Sequence, residues 1–195
     1  MTATAAGRAQ IVLVRHGETE WSRDGRHTSR TDIPLTGEGQ SQARSLGARL
    51  DAWTFALVLT SPMARARETC RLAGQGERAQ VTDDLEEWDY GDYEGRRTAE
   101  IRAERPGWTL WRDGAPGGET AADVQRRADR VIARADVAGG DVAVFAHGHL
   151  LRILAARWAG LPPTAGAHLA LDTATVSVLG WERDERVVRR WNVPA

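Results

Sequence analysis

Short apolar runs alternate with longer amphipathic stretches along the whole chain. The apolar runs are each short enough to form one buried strand, and they cover residues 11–14, 56–59, 142–145 and 175–179. The stretches with apolar residues at helical spacing cover residues 36–50, 62–73, 119–135 and 149–159. Because strand and helix alternate, the sequence predicts an α/β fold with three layers, α/β/α, around a mostly parallel sheet.

Two features modify this alternation. The last two strands are predicted at 173–181 and 186–191, with a short connection at 182–185 between them. So short a connection favours a hairpin, and one edge strand should therefore be antiparallel. Residues 96–118 are rich in Gly, Pro and Trp and hold a short helical stretch at 98–104. We predict that they form an excursion over the sheet edge that carries the active site.

The charged residues exclude several partners and chemistries. The 26 basic residues are all Arg, against 27 acidic residues, and a net charge of -1 argues against nucleic-acid binding. Without Lys, the chain lacks a Schiff-base nucleophile, a pyridoxal-phosphate anchor and the lysine of a P-loop. Arginine can still bind phosphate through two parallel hydrogen bonds.

Length and hydropathy indicate one domain and a cytoplasmic location. We interpret residues 1–195 as a single domain, because a chain of this length can bury a sizeable core. No run approaches the roughly 18 apolar residues of a membrane span, and residues 1–10 lack the apolar core of a secretory signal. The single cysteine, Cys70, excludes an internal disulfide and is interpreted as a core residue.

Histidine and arginine side chains follow three of the apolar runs. These residues and their glycine neighbours are Arg15, His16 and Gly17, then Arg65, then His147, Gly148 and His149. Ligands of open α/β sheets bind beyond the carboxyl ends of the strands, so these groups should converge on one pocket. Guanidinium and imidazole groups suit a phosphate dianion, and the N-termini of the two following helices should add main-chain donors. A neutral imidazole can act as the nucleophile on phosphorus.

The same residues lie in three segments that resemble the signatures of a known family. The segments are Leu-Val-Arg-His-Gly-Glu-Thr at 13–19, Thr-Ser-Pro-Met-Ala-Arg-Ala at 60–66 and Ala-His-Gly at 146–148. In order and spacing they are similar to the histidine phosphatase superfamily, the phosphoglycerate-mutase-like proteins, over nearly the whole chain. The resemblance implies that fold and a phosphatase that needs neither metal nor cofactor. It also implies that His16 becomes phosphohistidine while Arg15, Arg65 and His147 hold the phosphoryl group.

A fourth segment, residues 85–95, resembles the acid segment of that family. The match makes Glu87 the general acid that protonates the leaving oxygen. Because a carboxyl group must be protonated to do this, we expect burial to raise the pKa of Glu87. Activity is then expected to favour mildly acidic to neutral pH.

The resemblance also implies a set of substrate contacts. They are Gly17, Ser22, Thr28, Tyr90, Arg112, Gly148 and His149. Ser22 and Thr28 match small polar groups beside the phosphate, and Tyr90 matches a position near the substrate mouth. For His149 the alternative is to cap a helix or to orient the pocket. Where relatives often have Thr-Gly, this chain has Thr28 followed by Ser29 and Arg30.

The segment around Arg112, together with residues 87–95, resembles the sugar-bisphosphatase branch of the family, typified by sedoheptulose-1,7-bisphosphatase. Arg112 would then grip the far end of a sugar phosphate, or else form a surface ion pair. His27 and His168 are interpreted as ordinary surface or loop residues. The substrate is expected to be a small phosphorylated metabolite, with no nucleic acid or membrane as partner. The oligomeric state is left open, with a homodimer as one alternative.

Three other functions stay open at this point. A mutase would return the phosphoryl group to a substrate, but the cofactor-dependent mutases carry a longer insertion between the acid segment and the helix that follows Glu119, so a phosphatase is favoured. A non-catalytic phosphate binder would have no reason to keep both His16 and Glu87. A metallohydrolase could use His16, His147 and His149, yet these lack nearby Asp ligands in the sequence.

Overall fold

A computed structural model describes residues 8–194. Within that range one mixed sheet contains β1 Ile11–Arg15, β2 Phe55–Thr60, β3 Ala79–Val81, β4 Asp141–Ala146, β5 Thr175–Glu182 and β6 Glu185–Pro194. The spatial order is β3-β2-β4-β1-β5-β6. The first four strands run parallel, whereas β5 is antiparallel to β1 and β6 to β5. The predicted parallel sheet with an antiparallel edge is confirmed. Residues 1–10 were expected to lack a secretory signal. Residues 1–7 of that segment lie outside the described residues.

Helices cover both faces of the sheet, which confirms the three layers. The helices are α1 Glu20–Arg23, α2 Gly37–Leu50, α3 Ala64–Leu72, α4 Thr98–Glu104, α5 Leu110–Asp113, α6 Ala121–Asp136 and α7 Gly148–Trp158. The long helices α2 and α3 pack on one face, and α6 and α7 pack on the other. Within residues 8–194, none of these helices has the length and apolar character of a membrane span.

The central strand β1 shows why the apolar runs form strands. Val12 and Val14 point to the core on the side of α2 and α3, while Ile11 and Leu13 point to the core on the opposite side. Side chains alternate along a strand, so a strand covered on both faces must be apolar at every position. This explains the continuous run at 11–14 and places the carboxyl end of β1 in the middle of the sheet.

The excursion at 96–118 is anchored to the core and is not a loose loop. Helix α4 has the predicted bounds, and the short α5 follows it. Trp108 and Leu110 are buried in the same apolar cluster as Trp88 and Tyr90. The excursion therefore forms a fixed wall beside the acid segment. Strand β3 was not predicted from the sequence, because it has only three residues and is mostly exposed.

Two glycines in the first turn of α2 provide a matched test of packing. A Cβ on Gly39 would lie 2.1 Å from the main-chain oxygen of Glu18, whereas a Cβ on Gly37 would meet nothing within 4 Å. We expect Gly39→Ala to lower the free energy of unfolding by about 1–3 kcal/mol, because the main chain must shift. Gly37→Ala should be neutral or stabilising by up to about 1 kcal/mol, because Ala favours the helix. Urea unfolding of both variants measures the difference, and equal stabilities would contradict the packing argument.

Candidate active site

The first catalytic candidates meet where β1 and β4 end side by side. Arg15 lies opposite Ala146 in the parallel register, and the main-chain N–H of His16 donates to the carbonyl of Ala146 at 3.0 Å. His147 follows directly on β4. The centroids of the His16 and His147 rings are consequently 5.2 Å apart. The sheet thus brings both sequence-predicted histidines into one place, as the strand-end argument required.

His16 is held as a neutral imidazole with one free nitrogen. Its Nδ1 lies 2.8 Å from the carbonyl oxygen of Gly17, which can only accept, so Nδ1 carries the proton. Burial, reinforced by the charges of Arg15 and Arg65, lowers the pKa of His16 to about 3. The lone pair of the neutral ring is therefore on Nε2. His16 lines the same cavity as Glu87.

His147 is fully buried beside His16, and both of its ring nitrogens are engaged. Nδ1 accepts a hydrogen bond from Nε of Arg65 at 3.3 Å, which leaves Nε2 to donate to the hydroxyl of Ser61 at 2.7 Å. Burial and the charge of Arg65 hold the pKa of His147 well below its ordinary value. Ser61 and Arg65 therefore fix the tautomer and the orientation of this ring.

Arg65 ties the loop before α2 to the start of α3. Its guanidinium donates to three main-chain carbonyls, those of Thr28 at 3.3 Å, Ser29 at 2.9 Å and Thr31 at 3.1 Å. Its side chain is completely buried, and burial lowers its pKa. Arg65 thus supplies a fixed positive charge to His16 and His147 from inside the protein.

Arg15 keeps an unused donor in the site. One terminal nitrogen donates to the carbonyl of Leu171, but the buried Nε has no hydrogen-bond partner among the described residues. A Cβ on Gly148 would lie 3.4 Å from Nε of Arg15, so the missing side chain lets the guanidinium approach the start of α7. A buried N–H without a partner costs free energy, and an anion in the cavity would remove that cost.

Glu87 is an ionised carboxylate at the N-terminus of α7. One oxygen accepts from the main-chain N–H of Trp88 and of Leu150, both at 2.9 Å, and the other accepts from that of His149 at 3.0 Å. Burial raises the pKa of Glu87, but hydrogen bonding to His149 and the electrostatic interaction with the His149 and His147 rings outweigh it and hold the pKa well below its usual range. The expectation of a raised pKa is wrong, because three N–H donors stabilise the charged form.

Carboxylates already bind main-chain donors at the two helix N-termini that were expected to help bind phosphate. Glu87 occupies the N-terminus of α7, and Asp32 accepts from the main-chain N–H of Ala64 at 2.9 Å at the start of α3. Carboxylates therefore already complement both helix dipoles.

Five of the seven predicted substrate contacts line one cavity of about 230 Å³. Those that line it are Ser22, Thr28, Tyr90, Gly148 and His149, together with Arg15, His16 and Glu87. The hydroxyl of Tyr90 lies 2.7 Å from Nδ1 of His149. Burial holds the pKa of Tyr90 well above its ordinary value, so the phenol stays protonated. A cavity of this size suits a small metabolite.

The structure bears on three other expectations. Arg112 is exposed and donates to Asp113 and to the carbonyl of Gly107, so the surface ion-pair alternative describes it. The close approach at Gly17 is made by the main chain of Gly39, since a Cβ there would lie 2.4 Å from the Gly39 oxygen. His27 lies in the loop after α1, as expected, but it is not an ordinary loop residue. It is buried and lines the cavity, with its ring 4.7 Å from that of Tyr90.

Sequence reasoning also missed other lining residues, among them Thr98 and Arg152. Thr98 lies at the start of α4, and its hydroxyl is 3.4 Å from Nε2 of His27. Arg152 lies one helical turn after Gly148 in α7. The sequence carried one signal for Arg152: it lies four residues after Gly148 and therefore on the same face of the helix.

The departure at Ser29 and Arg30 links two loops of the site. The main-chain N–H of Ser29 donates to the carboxylate of Glu94 at 2.9 Å, and its hydroxyl donates to the carbonyl of Glu87 at 3.3 Å. The guanidinium of Arg30 pairs with Asp89 at 2.8 Å. The serine therefore binds the acid segment in a way that glycine could not.

Among residues 8–194, no group of three His, Cys, Asp or Glu side chains is placed to hold a metal ion.

Stability should fall as the pH is lowered below neutrality. The folded protein holds His16 at a pKa of about 3 and, chiefly through burial, His27 at about 4, both from an ordinary 6.5. Between these values the unfolded chain binds protons that the folded chain does not, so unfolding is favoured by falling pH. For His16 alone we expect a loss of about 3 kcal/mol between pH 7 and pH 4. Urea unfolding across this range measures the loss. We expect the stability of the wild type to fall more steeply with falling pH than that of His16→Gln.

Comparison with known proteins assigns the chain to a protein family. Residues 11–194 match the histidine phosphatase superfamily, branch 1, and the chain belongs to this family. The predicted family and its enzyme class, a phosphatase, are confirmed.

The most similar proteins include two phosphatases. The chain is 40% identical over 181 residues to an acid phosphatase of Mycobacterium tuberculosis, which covers 91% of this chain and 89% of that protein. It is also 40% identical over 185 residues to the sedoheptulose 1,7-bisphosphatase of Saccharomyces cerevisiae, covering 78% and 68% respectively. A solved structure of an open reading frame product from Mycobacterium tuberculosis has a TM-score of 0.91 at 38% identity, with 95% of this chain and 98% of that chain covered. The fold is thus that of the family.

Proposed function

We propose that the protein hydrolyses phosphate monoesters of small metabolites, sugar phosphates among them, through a phosphohistidine on His16 and without a metal ion. The observation that carries this proposal is the locked tautomer of His16, with Nδ1 donating to Gly17 and the Nε2 lone pair left for the ligand. A neutral imidazole in that state can attack phosphorus without first losing a proton. We further propose that residues 1–195 form a single catalytic domain, since the family match spans residues 11–194.

In the first step, the Nε2 lone pair of His16 attacks phosphorus and the bond from phosphorus to the ester oxygen breaks. The orphaned Nε of Arg15 donates to a phosphoryl oxygen, and the charge of Arg65 stabilises the charge that develops there. His147, oriented by Ser61 and Arg65, lies beside His16, with the two ring centroids 5.2 Å apart. Catalysis of phosphoryl transfer depends mostly on such positioning and electrostatics.

Glu87 supplies the proton balance of both steps. A bound phosphate dianion next to this carboxylate raises its pKa, so that Glu87 takes up a proton with the substrate and delivers it to the leaving alkoxide. In the second step a water oxygen attacks phosphorus, the bond from phosphorus to Nε2 breaks, and the Glu87 carboxylate accepts the proton of the water. The products are the alcohol and inorganic phosphate. Family membership and the relatives named as phosphatases support hydrolysis of a phosphate ester.

The experiment is phosphate release from a panel of substrates in the presence of a strong chelator. The panel holds sugar bisphosphates, sugar monophosphates, phosphoglycerates and an aryl phosphate. We expect release from at least one member in chelator, and a radiolabelled protein intermediate that is stable in base and labile in acid, as a phosphoramidate is. Activity that disappears in chelator and returns with Mg²⁺ would overturn the proposal in favour of a metallohydrolase. Isomerisation of phosphoglycerate without net phosphate release would favour a mutase.

A further inference from the structure

We infer that Asn192, near the end of the edge strand β6, is a positioning residue for the phosphoryl site, because it fixes the segment that holds the guanidinium of Arg15. This segment, which we call the strap, is residues 170–174, directly before β5 and outside the helices and strands. The inference rests on the proposed function, in which Arg15 binds a phosphoryl oxygen. It deepens that function by giving the C-terminal strand a role in it.

The first support is that the strap contacts both catalytic residues at the end of β1. The carbonyl of Leu171 accepts a hydrogen bond from a terminal nitrogen of Arg15, and the main-chain N–H of Ala174 donates to the carbonyl of His16 at 3.1 Å. Leu171 also lines the cavity of about 230 Å³. Nε of Arg15 has no partner among the described residues, so the Leu171 carbonyl is what orients this guanidinium. A shift of the strap therefore shifts the donor that the phosphoryl group needs.

The second support is that the amide of Asn192 holds the strap through both of its ends. Oδ1 accepts from the main-chain N–H of Asp172 at 2.7 Å, and Nδ2 donates to the carboxylate of Asp172 at 2.8 Å. The neighbouring indole of Trp191 donates to the carbonyl of Ala170. These contacts lie on either side of Leu171 in the chain. The end of β6 thus fixes the residues that flank the carbonyl on Arg15.

The third support is that the main chain of β6 is distorted at Asn192. Between two successive pairs of the β5–β6 ladder, Val176 with Val193 and Val178 with Arg190, β6 has one residue more than β5. Asn192 lies in this bulge with a φ of 55°, and its N–H donates to a side-chain hydroxyl of β5 at 3.0 Å. Bulges redirect side chains, and asparagine adopts this left-handed conformation more readily than most residues. The distortion therefore directs the amide to the strap.

Other polar side chains of β6 do not have this role. Arg186 pairs with Asp136 at 2.7 Å, and Arg189 pairs with Glu182 at 2.7 Å. Both pairs lie away from the strap. Arg189 is exposed on the same strand, and its variant Arg189→Gln is therefore the matched control for a loss of a polar contact on β6.

The test is a double-mutant cycle between Asn192 and Arg15. The variant is Asn192→Gly, because glycine removes the amide and still accepts the positive φ. kcat/KM for an aryl phosphate and the calorimetric affinity for inorganic phosphate are measured. We expect Asn192→Gly to lower both by about 3- to 10-fold, the range of a neutral hydrogen bond. In the Arg15→Gln background the same change should alter kcat/KM by less than about twofold, because residues that act through one another are not additive. Arg189→Gln should change neither quantity in either background.

A pair of variants on the strap tests the hydrogen bond itself. Asp172→Asn keeps a side-chain oxygen that can accept from Nδ2 of Asn192, so most of kcat/KM should remain. Asp172→Ala removes that oxygen and should reproduce at least part of the loss seen with Asn192→Gly. Equal losses in the two variants would contradict the hydrogen-bond argument. Urea unfolding checks that every variant is folded in the assay, and Asp172→Ala takes the place of Asn192→Gly in the cycle if the latter does not fold.

A purely structural role for Asn192 gives a different result. If Asn192 only stabilises the β5–β6 hairpin, Asn192→Gly lowers kcat/KM by the same factor with and without Arg15, and the inference is overturned. If the wild type hydrolyses nothing, the proposed function fails. Binding of inorganic phosphate then decides this inference alone. Equal affinity in the wild type and Asn192→Gly, or no binding to the wild type, would overturn it.

Discussion

The His16→Ala variant is expected to lose phosphate release by at least about a thousandfold, because it lacks the nucleophile of the proposed first step. His147, the nearest imidazole, has Nδ1 turned to Arg65 and Nε2 turned to Ser61, so neither nitrogen has a lone pair to offer. Water would have to attack phosphorus directly. The remaining rate would come from the arginines that still bind and polarise the phosphoryl group.

The matched control is His168→Ala, since His168 is an exposed histidine on the segment after α7. It should retain full activity. Radiolabelled substrate quenched in base should mark the wild type and His168→Ala but not His16→Ala. Phosphate release by His16→Ala above about a tenth of the wild-type rate would show that phosphohistidine on His16 is not the route.

The phosphoryl site could be predicted from the sequence because its residues lie at the ends of strands. Continuous apolar runs mark strands that are buried on both faces, and the residue after such a strand is fixed in space by the sheet register. This applies to Arg15 and His16 after β1 and to His147 after β4. Strand β3, with one half-buried and two exposed residues, carries no such signal.

The wall opposite these strand ends could not be predicted in the same way, because contacts between loops fix it. A Cβ on Gly91 would lie 2.2 Å from the oxygen of Pro116, and one on Gly118 would lie 2.2 Å from that of Asp89. Main chain thus packs on main chain between the acid segment and the excursion. Such contacts leave no periodic pattern in the sequence. They decide that Arg112 faces solvent and that Arg152, stacked on Trp111, faces the cavity.

The carboxylate of Glu87 connects the fold to the chemistry. The same three N–H bonds that stabilise its charge also hold the start of α7, and this start carries Gly148 and His149 into the cavity. A proton on Glu87 must weaken at least one of these bonds, because a protonated carboxyl oxygen faces an N–H donor poorly. Substrate binding is therefore expected to loosen the start of α7 slightly as it raises the pKa of Glu87.

The Glu87→Gln variant separates these two roles. The amide nitrogen of Gln must face a main-chain N–H in place of one carboxylate oxygen, so we expect the free energy of unfolding to fall by about 1–3 kcal/mol. Loss of the proton donor should lower kcat/KM for a sugar phosphate by about 100- to 10,000-fold, because an alkoxide is a poor leaving group. An aryl phosphate, whose phenolate leaves without a proton, should lose about tenfold or less.

The measurement is kcat/KM for both leaving groups in the wild type, Glu87→Gln and the neighbouring control Glu86→Gln, each checked by urea unfolding. Glu86 lies outside the cavity lining, so its variant should behave like the wild type with both substrates. The ratio between the two leaving groups cancels any loss that comes only from a loosened helix. An equal loss with sugar and aryl phosphates would therefore mean that Glu87 positions α7 and that the leaving oxygen receives its proton from another group.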